Sequence, residues 1–306
     1  MVFSYPKLSE YDFGIIRLFG SGLGNLLFPW ARFIVATKKY NLTPINPTWP
    51  QIKIRTFVRG DRDKRSYINF FCTPSRYIKG VKKILLLSKL SKITEEEFIK
   101  NHNRDYSDTI VIFEGMKNLF QDILKDSNMI LSELVSITKS KHKSGLLFDF
   151  SGSISVHVRL GDFRSSMVSR LGKTLEEGGW NLRIPISWYV SKINQLRDEL
   201  GKQVKVFVFS DGTDEELYPL VSLPNAERIF FGSSIADLLA LSRANILVAS
   251  GSTFSMWASY LGRMPVIWHK GQLRQRLYAE NESSEIELSE DENIPNPFFR
   301  VLCERT

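Results

Sequence analysis

Residues 153–163 read Ser-Ile-Ser-Val-His-Val-Arg-Leu-Gly-Asp-Phe, a pattern that predicts a β-strand ending in a polar loop. Side chains alternate along a strand, so His157 and Arg159 share one face and the neighbouring valines share the other. Ligands of open α/β sheets bind at the carboxyl ends of strands. Arg159, followed closely by Asp162, therefore indicates an anion site, because a guanidinium offers paired donors for phosphate oxygens. The stretch alone leaves open an arginine that is merely paired with a local acid.

Strands and helices alternate through the rest of the C-terminal half. A helix is predicted from Pro185 to Gly201, because apolar residues recur at helical spacing after a proline suited to a first turn. Strands are predicted at 204–209, 228–231, 246–249 and 266–268, with helices at 215–221, 234–243 and 253–261. This alternation predicts right-handed βαβ units and a parallel sheet. We therefore expect a C-terminal domain, residues 145–306, whose Rossmann-like part covers about 145–270.

Two further polar turns follow strands of this predicted sheet. Asp211 comes after one strand, and Ser252-Thr253 stand where another strand gives way to a helix. Free N–H groups and hydroxyls at a helix N-terminus favour a phosphate. The alternatives are structural: a turn-forming aspartate, and plain N-capping by the hydroxyls. Asp237 likewise fits a capping box that begins at Ser234, with Asp in place of Glu.

A strand, a glycine loop and a helix are predicted near the start of the chain, over Phe13–Phe19, then 20–25, then up to Tyr40. Glycines let backbone N–H groups approach a ligand, although they can also serve only a tight turn. A dinucleotide site is disfavoured, because residues 41–60 contain no Asp or Glu that could bind the ribose.

The segment 41–108 has the least regular pattern. Asp61-Arg62-Asp63 could hold a divalent metal, but its basic context favours a solvated loop. Lys79–Lys92 predicts a basic amphipathic helix that packs on its own domain, with peripheral membrane contact as the alternative. A buried strand is predicted at 109–115 and a helix at about 128–138. The polar segment 139–144 is the predicted linker, which ends an N-terminal domain of residues 1–144.

The composition is that of a globular protein with an anionic partner. Hydrophobic residues make up 43% and charged residues 24% of the 306 residues, which is usual for a soluble protein. The net charge of +8 favours an anion. Nucleic acid is not expected, because the basic run 55–65 is not interleaved with a series of stacking aromatic residues. We expect no signal peptide, no membrane span and, with only Cys72 and Cys303, no disulfide framework or cysteine metal site; these features predict a cytoplasmic protein.

Motifs in both halves together resemble the α-1,2-fucosyltransferases, glycosyltransferase family 11. They are Gly22-Leu23-Gly24-Asn25, Phe113-Glu114-Gly115, His157-Val158-Arg159-Leu160-Gly161-Asp162, Phe209-Ser210-Asp211, Asp237 to Ala244, and Ser252-Thr253-Phe254-Ser255-Met256-Trp257-Ala258. The resemblance extends over residues 14–268, with residues 41–108 unmatched. The H-x-R-x-G-D and S-T-F-S-x-W-A elements are specific as a pair, whereas the glycine loop is weak evidence.

The resemblance implies an α/β protein of the GT-B fold, with two Rossmann-like domains facing across a cleft. It implies an inverting, metal-independent transfer of fucose from GDP-fucose to a hydroxyl of a glycan acceptor, expected to be α-1,2 to galactose, with no further cofactor. Arg159, His157 and Asp162 would be catalytic, and Gly22, Gly24, Asn25 and Glu114 would face the acceptor. The residues expected to bind the GDP-sugar are Arg159, His157, Asp211, Asp237, Ser252, Thr253, Phe254 and Ser255.

Three departures from the family pattern widen the range of possible reactions. The second arginine of H-x-R-R-G-D is Leu160, the glutamine after G-L-G-N is Leu26, and the asparagine of S-N-S-T-F-S is Gly251. Leu26 and Gly251 put acceptor and linkage in question more than the donor. The related α-1,6- and protein O-fucosyltransferases share the arginine and the S/T-F-S element. Transfer of a different GDP-sugar and a nucleotide-binding module without catalysis also stay open.

Overall fold

A computed structural model describes residues 1–52, 66–277 and 282–304. The chain divides into two compact units, Met1–His142 and Lys143–Thr306. The boundary lies within the polar segment 139–144, where two short 3₁₀ turns, Ser140–His142 and Ser144–Leu147, follow one another. The triplet Asp61-Arg62-Asp63 and the basic run around it lie outside the described residues.

The first unit is built on a parallel sheet. Its strands are β1 (Val2–Lys7), β2 (Tyr11–Asp12), β3 (Arg17–Leu18), β4 (Thr43–Pro44), β5 (Gln51–Ile52), β6 (Ser91–Thr94) and β7 (Thr109–Glu114). Its helices are α1 (Leu23–Lys39), α2 (Gly80–Lys89), α3 (Glu95–Lys100) and α4 (Ser127–Ile137), with a 3₁₀ helix over Gln121–Asp126. Four strands form the parallel sheet in the order β4-β1-β7-β6, and β2, β3 and β5 form a separate small sheet.

The start of this unit differs from the predicted strand at Phe13–Phe19. Strand β1 was missed, because Ser4, Pro6 and Lys7 interrupt any apolar pattern, yet it pairs with both β4 and β7. Within 13–19 only Arg17–Leu18 is a strand. Phe13 is exposed and the next residue, a glycine, has a φ of +80°, so the chain turns here instead of entering the core. The predicted helix after the glycine loop is confirmed as α1.

Arg32 of α1 forms a buried ion pair in the first unit. Its Nε donates to both carboxylate oxygens of Glu95, at 2.9 and 3.0 Å, and NH2 donates to the carbonyl of Glu114 at 2.9 Å. The guanidinium therefore connects α1, α3 and the end of β7. A buried charge is tolerated when it is paired and hydrogen-bonded in this way.

Helix α2 lies where the basic amphipathic helix was predicted. Leu86 and Leu87 pack against the core of the first unit, and Lys83 is buried beside them. Val81 and Leu85 face solvent. The helix therefore packs on its own unit as expected, while its peripheral membrane contact stays a prediction. No helix within the three described ranges is long and apolar enough to cross a membrane.

The second unit is a single parallel sheet flanked by helices. Its strands are β8 (Ile154–Val158), β9 (Val206–Ser210), β10 (Ala226–Arg228), β11 (Ile246–Ala249), β12 (Val266–His269) and β13 (Glu285–Leu288). Its helices are α5 (Ile186–Leu200), α6 (Asp214–Val221), α7 (Ser234–Leu241), α8 (Thr253–Gly262) and α9 (Asn296–Cys303), with a 3₁₀ helix over Glu282–Ser284. All six strands are parallel, in the order β10-β9-β8-β11-β12-β13. The predicted parallel α/β sheet is confirmed.

Strand β8 lies between β9 and β11, inside the sheet. All five of its residues are buried, and Val156 and Val158 belong to the core cluster of the unit. Because neighbouring parallel strands end at the same edge, the loops after β8, β9 and β11 converge there. These loops carry the polar residues that the sequence singled out.

The sheet extends beyond the predicted limit at residue 270. Helix α9 was not predicted, and strand β13 was missed because its sequence Glu-Ile-Glu-Leu has a charged residue at every second position. The first of these, Glu285, is 1% exposed, and its carboxylate accepts the N–H of Leu277 at 2.7 Å. Alternating charged and apolar residues also describe a strand with one solvent-exposed face, so the pattern does not reveal that a loop buries this carboxylate.

Candidate functional site

Arg159 follows β8 and is held between two carboxylates. NH1 lies 2.7 Å from Asp211 Oδ2, and NH2 lies 2.5 Å from Asp162 Oδ1. The ring of Phe163 lies 5.8 Å from the guanidinium carbon. The arginine side chain keeps 20% of its surface exposed. The local acidic partner that the sequence left open is thus confirmed, and it is compatible with an anion site, because a phosphate can replace a carboxylate on the guanidinium.

Asp211 positions the loop that carries Arg159. Its Oδ1 accepts the backbone N–H groups of Leu160 at 2.9 Å and Gly161 at 3.1 Å. A Cβ at Gly161 would lie 2.5 Å from Asp211 Oδ2, so this close approach requires glycine. Leu160, where the family pattern has its second arginine, is 3% exposed and belongs to the core. Direct contact of Asp211 with a nucleotide stays a prediction.

His157 is fixed by two serine hydroxyls. Its Nδ1 lies 2.7 Å from Ser255 Oγ and 3.0 Å from Ser250 Oγ. Ser255 Oγ also accepts the backbone N–H of Ser250 at 3.2 Å. Because that hydroxyl accepts from the backbone, its own proton can be donated to Nδ1, an arrangement in which the imidazole proton is on Nε2.

The imidazole of His157 is neutral at pH 7. Burial lowers its pKa to about 3, the charge of Arg159 contributes in the same direction, and Asp211 opposes both. The ring of Phe254 lies 4.9 Å away at an interplanar angle of 30°. A neutral ring in this position can donate one hydrogen bond without adding charge to the site.

Helix α8 begins beside these residues. Ser252 is its N-cap, with Oγ accepting the N–H of Ser255 at 3.2 Å, so the capping interpretation is confirmed. Ser252 Oγ also lies 2.9 Å from Ser250 Oγ, which joins the cap to the histidine network. The first turn of α8, which starts at Thr253, carries uncharged side chains. Its backbone N–H groups lie at the positive end of the helix dipole and favour an anion.

Asp237 fixes the turn before its own helix. Its Oδ1 accepts the N–H of Phe231 at 2.7 Å. The predicted capping box from Ser234 to Asp237 was wrong: the N-cap of α7 is Ser233, which has extended backbone dihedrals and whose Oγ accepts the N–H of Ala236 at 3.3 Å, so the third residue of the helix is an alanine and not Asp237. The role of Asp237 toward a nucleotide base stays a prediction.

A second polar cluster at this edge was missed from the sequence. Gln272 is 2% exposed and donates through Nε2 to the carbonyl of Leu175 at 2.7 Å. A Cβ at Gly251 would lie 2.1 Å from Gln272 Oε1, so a glycine is required for the amide to lie against the turn before α8. Gln272 and Leu175 are 97 residues apart, and no local pattern predicts such a pair.

The residues that the sequence predicts to face the acceptor lie in the first unit. Glu114, at the carboxyl end of β7, is 3.3 Å from the Lys7 ammonium and borders a cavity of about 520 Å³. Gly22 is the N-cap of α1, and Gly24 and Asn25 belong to its first turn. None of these three borders that cavity, so the structure does not group them with Glu114. Their role toward an acceptor stays a prediction.

Within the described ranges, no group of three or more His, Cys, Asp or Glu side chains lies close enough together to hold a metal ion. Since Asp61-Arg62-Asp63 lie outside those ranges, the metal independence expected from the sequence also stays a prediction.

Known structures share the fold of this chain. An α-1,6-fucosyltransferase, NodZ, whose crystals were soaked with GDP-fucose, matches with a TM-score of 0.51 and 16% identity, covering 83% of this chain and 94% of NodZ. NodZ from Bradyrhizobium (TM-score 0.49, 15% identity, 82% and 93% covered) and POFUT1 in complex with GDP (0.46, 12%, 84% and 98%) are more distant. No protein-family model and no curated protein sequence matches the chain. The likeness to NodZ shows the fold, which is the predicted α/β GT-B class.

Proposed function

We propose that this protein is an inverting glycosyltransferase that moves L-fucose from GDP-fucose to a hydroxyl of a glycan. The observation that carries the proposal is the Arg159 guanidinium, held by Asp211 at the carboxyl edge of a parallel sheet, the same edge at which α8 begins. That arrangement suits a diphosphate. The shared fold with NodZ, a fucosyltransferase soaked with GDP-fucose, supports fucose and guanine as the groups carried by the diphosphate.

The reaction needs a stabilised leaving group. The acceptor oxygen bonds to the anomeric carbon as the bond from that carbon to the diphosphate oxygen breaks, which inverts the centre and leaves GDP with additional negative charge. Arg159, Ser252 and Thr253 would stabilise that charge, since fixed donors aimed at developing charge supply a large share of catalysis. Asp162 would accept the acceptor proton.

The neutral His157 would contribute a hydrogen bond from Nε2. In this proposal Ser255 donates to Nδ1, so the Nε2 donor is in place before the ligand arrives. A histidine that stays uncharged does not repel the guanidinium of Arg159, which can therefore remain beside it. Phe254 would limit the movement of the imidazole through ring contact.

The rest of the GDP-sugar would be bound by Asp211, Asp237 and Ser255. Asp237 would accept the two parallel N–H donors on the guanine edge, with Asp211 near the phosphates. The carboxylate of Asp237 accepts a backbone N–H through Oδ1, which orients the group. On the acceptor side we propose Gly22, Gly24, Asn25 and Glu114, as the sequence resemblance implies.

For the linkage we propose α-1,2 to galactose, on the sequence motifs alone. The α-1,6 linkage of NodZ is the alternative, since the Arg159 and S-T-F-S elements are common to both groups. Transfer of another GDP-sugar, and nucleotide binding without catalysis, stay open as well. A donor screen that measures GDP release from GDP-fucose and GDP-mannose distinguishes them. We propose that turnover is independent of a metal and survives EDTA.

The decisive experiment compares Arg159→Ala with Arg300→Ala. Both remove one positive charge from the second unit, but Arg300 is an exposed residue of α9. We expect Arg159→Ala to lower kcat by about 100-fold or more, as for the loss of one donor to a developing anion. Arg300→Ala should behave as the parent. Equal turnover in the two variants, with the same melting temperature, would refute the assignment of the site.

A further inference from the structure

Trp180 is exposed to solvent, whereas the other tryptophans of the chain are buried. The chain has six tryptophans, all within the described ranges, and the other five are at most 6% exposed. Trp180 is 40% exposed. It stands in the long connection between β8 and α5, whose base is closed by a bridge between Arg164 and Leu182. An aromatic ring that is held on a fixed loop and partly exposed is available to contact a ligand.

Arg274 supports one face of the Trp180 ring. Its guanidinium carbon lies 4.3 Å from the ring centroid. NH1 donates to the carbonyl of Gly178 at 2.6 Å, and NH2 donates to that of Gly179 at 3.0 Å. The guanidinium is thus bonded to the backbone immediately before the tryptophan. This contact restricts the plane of the indole, while Trp180 as a whole stays 40% exposed, and we call the face away from Arg274 its open face.

Contacts of Arg274 also connect Trp180 with the turn at the proposed phosphate site. Gln272 accepts from Arg274 NH2 at 2.9 Å and lies against Gly251, in the turn that leads to the N-cap of α8. Gln272 Nε2 also lies 3.4 Å from the carbonyl of Gly179. The ring of Trp180 is therefore connected through two side chains to the turn at the end of β11.

The strand order decides which part of a ligand this ring can meet. Asp237 follows β10, at one end of the sheet, and Arg159 follows β8 in its interior. Gln272 and Arg274, which hold Trp180, follow β12, on the other side of β8. A GDP-sugar with its base near Asp237 and its phosphates near Arg159 would have its sugar end, and the acceptor, toward the side of Trp180.

We propose that the open face of Trp180 stacks on the pyranose ring of the glycan acceptor. This inference rests on the proposed function and names the substrate contact of that site. The apolar C–H face of a neutral sugar matches an indole, whose remaining edge stays available to water. The cation on the covered face disfavours a second cation on the open face, so a neutral ligand is favoured over a basic one.

Fluorescence quenching tests the contact directly. Iodide should quench Trp180 selectively, because the other five tryptophans are buried. We expect lactose or N,N′-diacetylchitobiose, with GDP present, to protect the quenchable emission of the full-length protein. Trp180→Phe should lose that quenchable fraction. The proposal is overturned if neither sugar protects the emission. It is also overturned if GDP alone protects it, because Trp180 would then stack on the guanine base.

Kinetics separate this proposal from the function on which it rests. Trp180→Ala should raise the acceptor KM by about two- to ten-fold, the range expected for a lost aromatic contact, with kcat and the GDP Kd unchanged. Trp180→Phe should recover part of the loss. Tyr218→Ala, which removes an exposed aromatic residue from α6, is the control. An unchanged acceptor KM in Trp180→Ala overturns the proposed stacking contact and leaves the fucosyltransferase proposal intact. If the unsubstituted protein binds no GDP, the proposed fucosyltransferase function is refuted, while protection by the sugars still tests the stacking contact of Trp180.

Discussion

The close approach of Gln272 to Gly251 predicts strong coupling between two substitutions. In Gly251→Ala the new Cβ would lie 2.1 Å from Gln272 Oε1, so the amide must move. Overpacking of this kind costs about 1–3 kcal/mol. Gln272→Ala alone removes the donor to the Leu175 carbonyl, 2.7 Å away in a part-buried position, and loss of a donor to such an acceptor costs at most about 1–3 kcal/mol. In the double variant the clash is absent, so its free energy of unfolding should equal that of Gln272→Ala.

Urea unfolding of the four proteins, followed by tryptophan fluorescence, measures this coupling. We expect the double variant to be more stable than the sum of the single effects by about 1–3 kcal/mol. Gly22→Ala serves as the matched control, since a Cβ there meets nothing within 4 Å. Combined with Gln272→Ala it should be additive to within about 0.5 kcal/mol. Additive effects of Gly251→Ala and Gln272→Ala would refute the contact.

Three further predictions concern buried or half-buried polar groups. Folding lowers the pKa of His157 from 6.5 to about 3, so the unfolded chain binds the proton more readily. The free energy of unfolding should therefore fall by about 1.4 kcal/mol per pH unit as the pH drops from 6.5 to about 3. Urea unfolding of His157→Gln should lack this contribution to the pH dependence. Arg32→Met leaves Glu95 buried without its partner and should lower the free energy of unfolding by about 3–5 kcal/mol in urea titrations, with a loss below about 1 kcal/mol contradicting a buried pair. Asp237→Asn keeps an oxygen for the Phe231 N–H, so the melting temperature should hold while calorimetry shows GDP affinity lower by about ten-fold or more; equal affinity would leave Asp237 with a structural role only.

The second unit could be predicted from sequence because its elements are marked locally. Strands such as β8 and β11 are short apolar runs that end in polar turns, and the helices between them carry apolar residues at helical spacing. The residues of the predicted anion site therefore fell at the ends of correctly placed strands. In the structure the contacts of His157 with Ser255 and of Arg159 with Asp211 bring these separate motifs together.

What could not be predicted depends on contacts between distant segments. Strand β1 is stabilised by pairing with β4 and β7 in spite of Pro6, and so short a segment contains no sequence pattern that predicts this pairing. The structural role of Asp211 requires two backbone N–H groups about 50 residues before it. The support of Trp180 comes from Arg274, and neither residue belongs to a periodic pattern.

The assembly of the second unit from distant segments has a consequence for synthesis on the ribosome. The sheet of the first unit is complete once Glu114 has been made, because β4, β1, β7 and β6 all precede that point. In the second unit, β8 acquires its neighbour β11 only after residue 249, and the loop around Trp180 is supported only after Arg274. Domains generally fold as units in the order in which they emerge. The nascent chain therefore carries an ordered first unit while the buried faces of β8 and α5 still await their partners, and this interval is when the protein is most exposed to misassociation.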